Sequence, residues 1–325
     1  PSAGARVLFR GVRMPFLPVG GQAVVEGVMM RAPSKIAVAV RRSDGTVALM
    51  DRAFESVTRR HKLLALPVVR GAVSLFETMY IGILALNFSA DEAAKDEPAK
   101  AGDKGSGGLG QLLQGGVVLL SLALGVLLFV VLPARLTSWL GFHDRMAFGL
   151  VDGLFRLLAF VGYLLLISQW KEMARVLGYH GAEHKAIHAV EAGVELTPEN
   201  VQKFPRLHPR CGTTFLFLVV VVSIVAFTFV GRPTSIGMHL LRVACMPVIA
   251  GVAFEFIRLS GKYFDRPWVK AATWPGMQFQ LLTTREPDLE MCAVAIRSLE
   301  RVLDDPTVVK LRAEGGSMKE VSFVQ

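Results

Sequence analysis

Four of the seven histidines and one of the three cysteines crowd into one stretch: Tyr179 to Glu191 reads YHGAEHKAIHAVE, and His208-Pro209-Arg210-Cys211 follows soon after. Imidazole nitrogen, thiolate and carboxylate are the donors that hold zinc and its neighbours among divalent ions. On a helix turning about 100° per residue, His180, Glu191, His184 and His188 fall within an arc of about 80°, and Glu183 lies about 60° to the other side of His180. His180 to His184 spell H-x-x-E-H, the inverse of the zinc-hydrolase pattern H-E-x-x-H, in which two imidazoles bind the metal and the carboxylate acts as general base. The metal lowers the pKa of its water and the base takes the proton.

Plainer readings compete. Gly178 and Gly181 flank His180 and predict a broken helix, with any site shared between a loop and a helix. The histidines also suit the polar face of an interfacial helix. The HPRC turn suits a membrane-entry cap, with Pro209 fixing the turn and Arg210 meeting phosphate, and Cys211 is either a sulfur ligand or a lone buried thiol. If His180, His184, His208 and Cys211 all bound one zinc, no position would stay open and the metal would be structural.

The elements that would carry these residues belong to a membrane protein. Of 325 residues 52% are hydrophobic and 19% charged, and the mean hydropathy is +0.45. Leu112 to Leu132, Ala147 to Gln169, Thr214 to Val230 and Ile236 to Ile257 are each apolar enough to cross a bilayer. Lys and Arg number 15 before the first of these, six from Trp170 to Thr213 and ten from Arg258 onward, against two and one in the other connections. The positive-inside rule then predicts cytoplasmic termini and a cytoplasmic histidine loop. A net charge of +9 fits a surface against anionic lipid and calls for no nucleic acid. Three cysteines without paired spacing argue against disulfides, and the N-terminus lacks a clean signal-peptide pattern.

Along the chain, Ile36 to Met50 alternates on both sides of Asp44-Gly45, which predicts a β-hairpin. In GGQAVVEGVMMR at 20–31, Glu26 either faces a site or sits in a turn, and a Glu26–Arg31 salt bridge is an equal alternative. Residues 63–90 are apolar but carry Arg70 and Glu77. An interfacial or re-entrant helix is preferred there to a fifth span, which would bury both charges and reverse the orientation. Residues 91–110 read as a flexible linker. Asp152 and Arg156 are spaced to pair on one helix face, His239 and Arg242 read as snorkelling side chains, and Leu289 to Leu303 as an amphipathic helix.

Six stretches together resemble the YqhQ-like family of bacterial multi-pass membrane proteins: GGQAVVEGVMMR at 20–31, PVVRG at 67–71, YHGAEHK at 179–185, HPRCGT at 208–213, EFIRLSGK at 255–262 and LLTTREPD at 281–288. Its members are described from their motifs as metal-dependent enzymes with no established reaction. The resemblance implies a bacterial plasma membrane and a metal role for His180, Glu183, His184, His208 and Cys211. Glu26, Arg31, Arg70, Glu255 and Arg258 are matched polar positions without a role. His188 is not part of the motif. By analogy with inverse-motif peptidases, a further carboxylate ligand would come from Glu255 or Glu191, the latter alternatively orienting a ligand imidazole.

The expected fold is mainly α: a polytopic helical bundle of about four transmembrane helices, an interfacial or re-entrant helix, and a small cytoplasmic α/β cap containing a β-hairpin. Its regions are 1–62 with the hairpin, 63–90, the linker 91–110, the four-span domain 111–257 with the histidine loop 170–213, and the cytoplasmic 258–325. The expected activity is zinc-dependent hydrolysis of an amide or ester bond, with Glu183 as base and Arg258 or Arg70 steadying the oxyanion. Membrane-inserted polypeptides or lipid-linked metabolites would be the substrates. The rival is a structural metal in a protein that binds another membrane complex, such as the protein-insertion machinery.

Overall fold

The structure is a computed structural model that describes residues 17–95, 108–142, 144–264 and 266–314. Strands β1 (Gly20–Val24), β2 (Gly27–Arg31), β3 (Lys35–Arg41) and β4 (Val47–Ala53) form one antiparallel sheet in chain order. The short α1 (Val57–Arg60) and a 3-10 turn (Lys62–Ala65) lead into α2 (Val69–Ala94). Next come α3 (Gly108–Val126), a π-helical turn (Leu127–Val131), α4 (Leu132–Trp139), α5 (Arg145–Ile167) and α6 (Lys171–Glu191). After these stand α7 (Pro198–Gln202), α8 (Gly212–Val230), α9 (Ile236–Ala244), α10 (Met246–Lys262), α11 (Pro267–Thr283), α12 (Leu289–Glu300) and α13 (Pro306–Glu314).

Among the described residues, five helical stretches are long and apolar enough to cross a membrane: Val69–Ala94, Gly115–Trp139, Arg145–Ile167, Gly212–Val230 and Ile236–Gly261. A lipid bilayer is therefore the environment of this chain. Four of the stretches overlap the four spans read from the sequence. The first runs on past Pro133, where the sequence suggested an end. Proline has no N–H to donate, and the wide turn just before it accommodates the missing bond.

The expected hairpin is β3–β4, with Gly45 at φ 82° and the Asp44 carboxylate accepting from the N–H and hydroxyl of Thr46. Residues 20–31 form a second hairpin, β1–β2, whose tight turn holds Glu26 at φ 52°. The sheet is covered on both faces. Ile36, Val38 and Val40 join Val24 and Met29 against Ile81 and Ala85 of α2, while Ala37, Ala39, Val28 and Met30 share a core with α6 and α12. Alternation in β3 thus separates two cores, with alanines on the face that α12 approaches.

The path of α2 explains its mixed composition. At its start, Gly71 packs on Gly251 and Phe254 of α10, and Arg70 pairs with Glu255. Farther along, Gly82 lies on Gln22, the Ser89 hydroxyl donates to the Val25 carbonyl at 2.6 Å, and Glu92 pairs with Arg42 at 2.7 Å. The helix leaves α10 and continues along the sheet. Of the expected linker, residues 91–94 belong to α2 and 108–110 to α3, and 96–107 lie outside the described residues.

The α2–α10 crossing depends on glycine. A Cβ on Gly251 would stand 2.2 Å from the Val68 carbonyl oxygen, and Val68 is itself held at φ 69°. Gly251→Ala is expected to cost about 1–3 kcal/mol through overpacking. Thermal unfolding of the full chain in detergent checks this, with a lowered midpoint as the expected outcome.

One expectation fails. Arg242 does not snorkel: it is completely buried, donates to Asp152 at 3.2 Å and to the Gly231 carbonyl at 2.7 Å, and lies over Phe227. Asp152 also accepts from Arg156 at 3.1 Å, so the expected intrahelical pair is part of an Arg–Asp–Arg triad. After Arg258 the chain returns to the bundle as α11, which runs through Pro275 and stacks Phe279 on Phe217 with ring centres 5.0 Å apart. Trp268 and Trp274 stay exposed on α11, as does Trp170 before α6.

Candidate metal centre

Helix α6 is unbroken from Lys171 to Glu191. Gly178 and Gly181 serve close approach instead of ending the helix. A Cβ on Gly178 would lie 2.8 Å from Met291 Sδ of α12, and one on Gly181 would lie 2.1 Å from the Arg285 carbonyl oxygen. The 281–288 motif thereby straps across α6: Arg285 N–H donates to the Leu177 carbonyl at 2.8 Å, Glu286 pairs with Lys185, and Asp288 caps α12. Gly181→Ala is expected to displace this strap and, because the strap orients His180, to lower at least tenfold any zinc that His180 helps to hold. Metal analysis of the purified variant tests it.

The donors divide into two groups. His180, His184 and Cys211 offer ligand atoms all within 4.8 Å of one another, and so do His188, Glu191 and His208. Around tetrahedral zinc, with bonds of about 2.0–2.3 Å, donors stand about 3.3–3.8 Å apart. His180 Nε2 and Cys211 Sγ are 3.2 Å apart. The inner ring nitrogens are turned to the site by the outer ones: Nδ1 of His180 donates to the Thr283 carbonyl at 2.7 Å, and Nδ1 of His184 to the Arg206 carbonyl. Such second hydrogen bonds fix the tautomer that leaves Nε2 free to bind metal.

Cys211 is the N-cap of α8, its sulfur accepting from Thr213 N–H at 3.4 Å. Burial works against its ionisation, but His184 and the Thr213 N–H outweigh it and bring the thiol below its ordinary range. Burial holds the His184 pKa down to about 4, against the neighbouring Cys211, which favours its charged form. Glu183 is buried beside the triad, with its carboxylate 4.0 Å from His180 Nε2 and Gly21 N–H as a partner. Burial pushes its pKa up to about 7.

The second group contains its own cation. Arg210 pairs with Glu191, donates to the Leu17 carbonyl at 2.8 Å and comes within 3.4 Å of His208 Nε2. It faces inward and not toward lipid phosphate, the alternative considered from sequence. His188 Nε2 donates to the Leu207 carbonyl at 2.9 Å, leaving Nδ1 buried without a partner. His208 N–H and carbonyl are both bound by Gln280, a wholly buried side chain of α11.

Of the residues read from sequence, His180, Glu183, His184 and Cys211 therefore come together. His208 lies with His188 and Glu191, its ring centre 5.5 Å from that of His184. Glu255 is held by Arg70, far along the chain from both groups and outside them. Glu26 pairs with Arg175 and accepts from Tyr179 at 3.2 Å, and Arg31 pairs with Glu77 at 3.1 Å, so they do not pair with each other. Arg70 and Arg258 line a separate cavity and touch neither donor group. Sequence reasoning missed the carbonyls of Thr283 and Arg206 and the role of Gln280. Backbone acceptors leave no residue signature, although LLTTREPD marked the segment.

Residues 66–305 match the family described as "Protein of unknown function (DUF1385)". The chain belongs to the DUF1385 family. It is 35% identical over 292 residues to "Uncharacterized protein YqhQ" of Bacillus subtilis (strain 168), covering 87% of this chain and 92% of that protein. No solved structure matches. The DUF1385 match contains α6, the HPRC turn and the strap, while the two hairpins, including β1 whose Gly21 lies against Glu183, precede it.

Proposed function

We propose that this DUF1385 protein is a zinc-dependent hydrolase at the cytoplasmic face of a bacterial plasma membrane. His180, His184 and Cys211 would hold the ion and Glu183 would serve as general base. The observation that carries this reading is the place of Glu183: within 4.0 Å of a donor nitrogen, on the same helix as two donors, yet not one of the three. Three protein ligands leave a fourth position for water or substrate, the arrangement of catalytic zinc. Zinc would supply an acidified water and a polarised carbonyl. Glu183 would receive the proton and pass it to the leaving group, and the carbonyls of Thr283 and Arg206 would keep the two imidazoles aimed. Amide or ester bonds of membrane-inserted polypeptides or lipid-linked molecules are the substrate class.

In this reading four stretches span the bilayer and α2 does not, because Ile81, Ala85, Ser89 and Glu92 are spent on the sheet. Residues 63–90 then form the interfacial or re-entrant helix, beside α10 at Arg70 and Gly71 and along the sheet farther on. Both termini are then cytoplasmic.

One observation favours the rival. Glu183, His184 and Cys211 are each no more than 4% exposed, which suits a structural ion in a protein that docks on another membrane complex. Glu183→Gln separates the two. In a hydrolase it keeps about one zinc per chain and loses activity about 10²–10⁴-fold, so it fails to complement a deletion strain. Full complementation by a zinc-loaded Glu183→Gln protein would assign the metal to structure.

A further inference from the structure

A cavity of about 240 Å³ opens where β2, α1, α2 and α10 meet, apart from both donor groups. At about 30 Å³ per water it has room for about eight waters, or for a phosphodiester with a small headgroup. Three guanidiniums line it: Arg31 from β2, Arg70 from α2 and Arg258 from α10. Two are answered by carboxylates, Arg31 by Glu77 at 3.1 Å and Arg70 by Glu255 at 2.6 Å. Glu77 also accepts from the Ser56 hydroxyl and the Val57 N–H, each at 2.8 Å, so its lone pairs are committed. No carboxylate among the described residues lies within ion-pair distance of Arg258, which is exposed. The cavity is left with one positive charge in excess, and the hydroxyls of Thr58 and Ser74 stand in its wall.

The surroundings bear on where a ligand would come from. The wall formed by α1 and the following turn exposes Arg59, Arg60 and Lys62, then Leu63 at 78% and Leu66 at 52%. Basic residues followed by bare leucines are what a segment resting on acidic lipid presents. Arg258 lies in the last turns of an apolar stretch long enough to cross the bilayer, which puts its guanidinium at the depth of headgroups.

We propose that this cavity binds a phosphate-bearing anion, with Arg258 supplying the unmatched charge and Arg31 and Arg70 supplying directed donors that their carboxylates hold in place. An anionic phospholipid headgroup is the source the surroundings favour, and free phosphate is the source to be distinguished from it. Arginine suits this task because its planar fork matches two phosphate oxygens at once.

The test titrates the full chain, in an uncharged detergent, with short-chain phosphatidylglycerol, phosphatidylcholine and inorganic phosphate, reading binding by native mass spectrometry and thermal shift. Phosphatidylglycerol is expected to bind more tightly than phosphatidylcholine. Arg258→Gln is expected to weaken phosphatidylglycerol about fivefold or more, and Arg258→Lys by less, because it keeps the charge and loses the fork. A double variant outside the cavity, Arg59→Gln with Lys62→Gln, is expected to cost less than about twofold. Inorganic phosphate that binds as tightly and shows the same Arg258 dependence would uphold the site and assign it a soluble ligand. Equal losses in Arg258→Gln and the double variant would reduce the effect to surface charge and overturn the proposal, as would absence of binding by both phosphatidylglycerol and phosphate. Arg258 is exposed and, among the described residues, within ion-pair distance of no carboxylate, Glu255 interacting with it only at longer range, so its variants are expected to melt like the parent without ligand.

Discussion

With zinc in the proposed triad, replacing His184 by alanine is expected to leave the purified protein with less than about a tenth of the parent's metal, since one of three protein ligands accounts for more than about 3 kcal/mol of apparent binding energy of about 10–16 kcal/mol. Cys211→Ser is expected to do the same, because the sulfur is the soft donor of the set. His208→Gln is the informative contrast. Its ring belongs to the group of His188 and Glu191, where Arg210 already supplies a positive charge, so zinc content should stay within about twofold of the parent's. Metal analysis of the three variants decides between one joined site and one triad beside a salt-bridged network. Loss of zinc in His208→Gln as complete as in His184→Ala would sink the three-donor assignment.

The second large effect lies inside the bundle. Asp152 is the one carboxylate, among the described residues, paired with Arg156 and Arg242, and all three side chains are almost wholly buried. Asp152→Asn would leave two guanidiniums facing each other with no counter-charge, at a cost of about 3–5 kcal/mol by the measure of broken buried pairs. Arg242→Met acts in the opposite sense. It removes the excess charge, keeps the Asp152–Arg156 pair and fills the space beside Phe148 and Phe227 with apolar volume, but frees the Gly231 carbonyl, so its cost should be about 1–2 kcal/mol, well below that of Asp152→Asn. Unfolding midpoints in detergent are expected to rank the parent and Arg242→Met close together and Asp152→Asn far below. A reversed order would show that the triad is held by something other than its charges.

What could be read from the residues alone followed local pattern. Apolar runs of about twenty residues mark the bilayer-length helices because length and hydropathy are sufficient for that purpose. The β3–β4 hairpin announced itself through alternation and Asp44-Gly45, whereas β1–β2 did not, because its turn places Glu26 at a positive φ that glycine or asparagine would usually take. Gly178 and Gly181 pointed to a break. Glycine permits either a break or a close approach, and only the partner, here Met291 and the Arg285 carbonyl, decides which. Pro275 concealed α11 in the same way. For the site, helical spacing put His180, His184, His188 and Glu191 on one arc with Glu183 beside them, and the structure divides these donors between two groups. Spacing could not say on which side of α6 the HPRC turn would dock, so His208 and Cys211 were expected around one ion and in fact lie with different partners. Arg242 read as a snorkelling side chain because its counter-charge, Asp152, is 90 positions away in the chain.

Cys211 is both the proposed sulfur donor and the cap of a helix that is otherwise membrane-embedded, while its two companion donors ride on α6 outside the apolar stretches. Coordination and anchorage thus meet at a single peptide unit. A slide of α8 by one residue along its axis, about 1.5 Å, would by itself pull the sulfur out of register with the imidazoles. Lipids that change how deeply that helix is seated would then also tune the grip on the proposed ion.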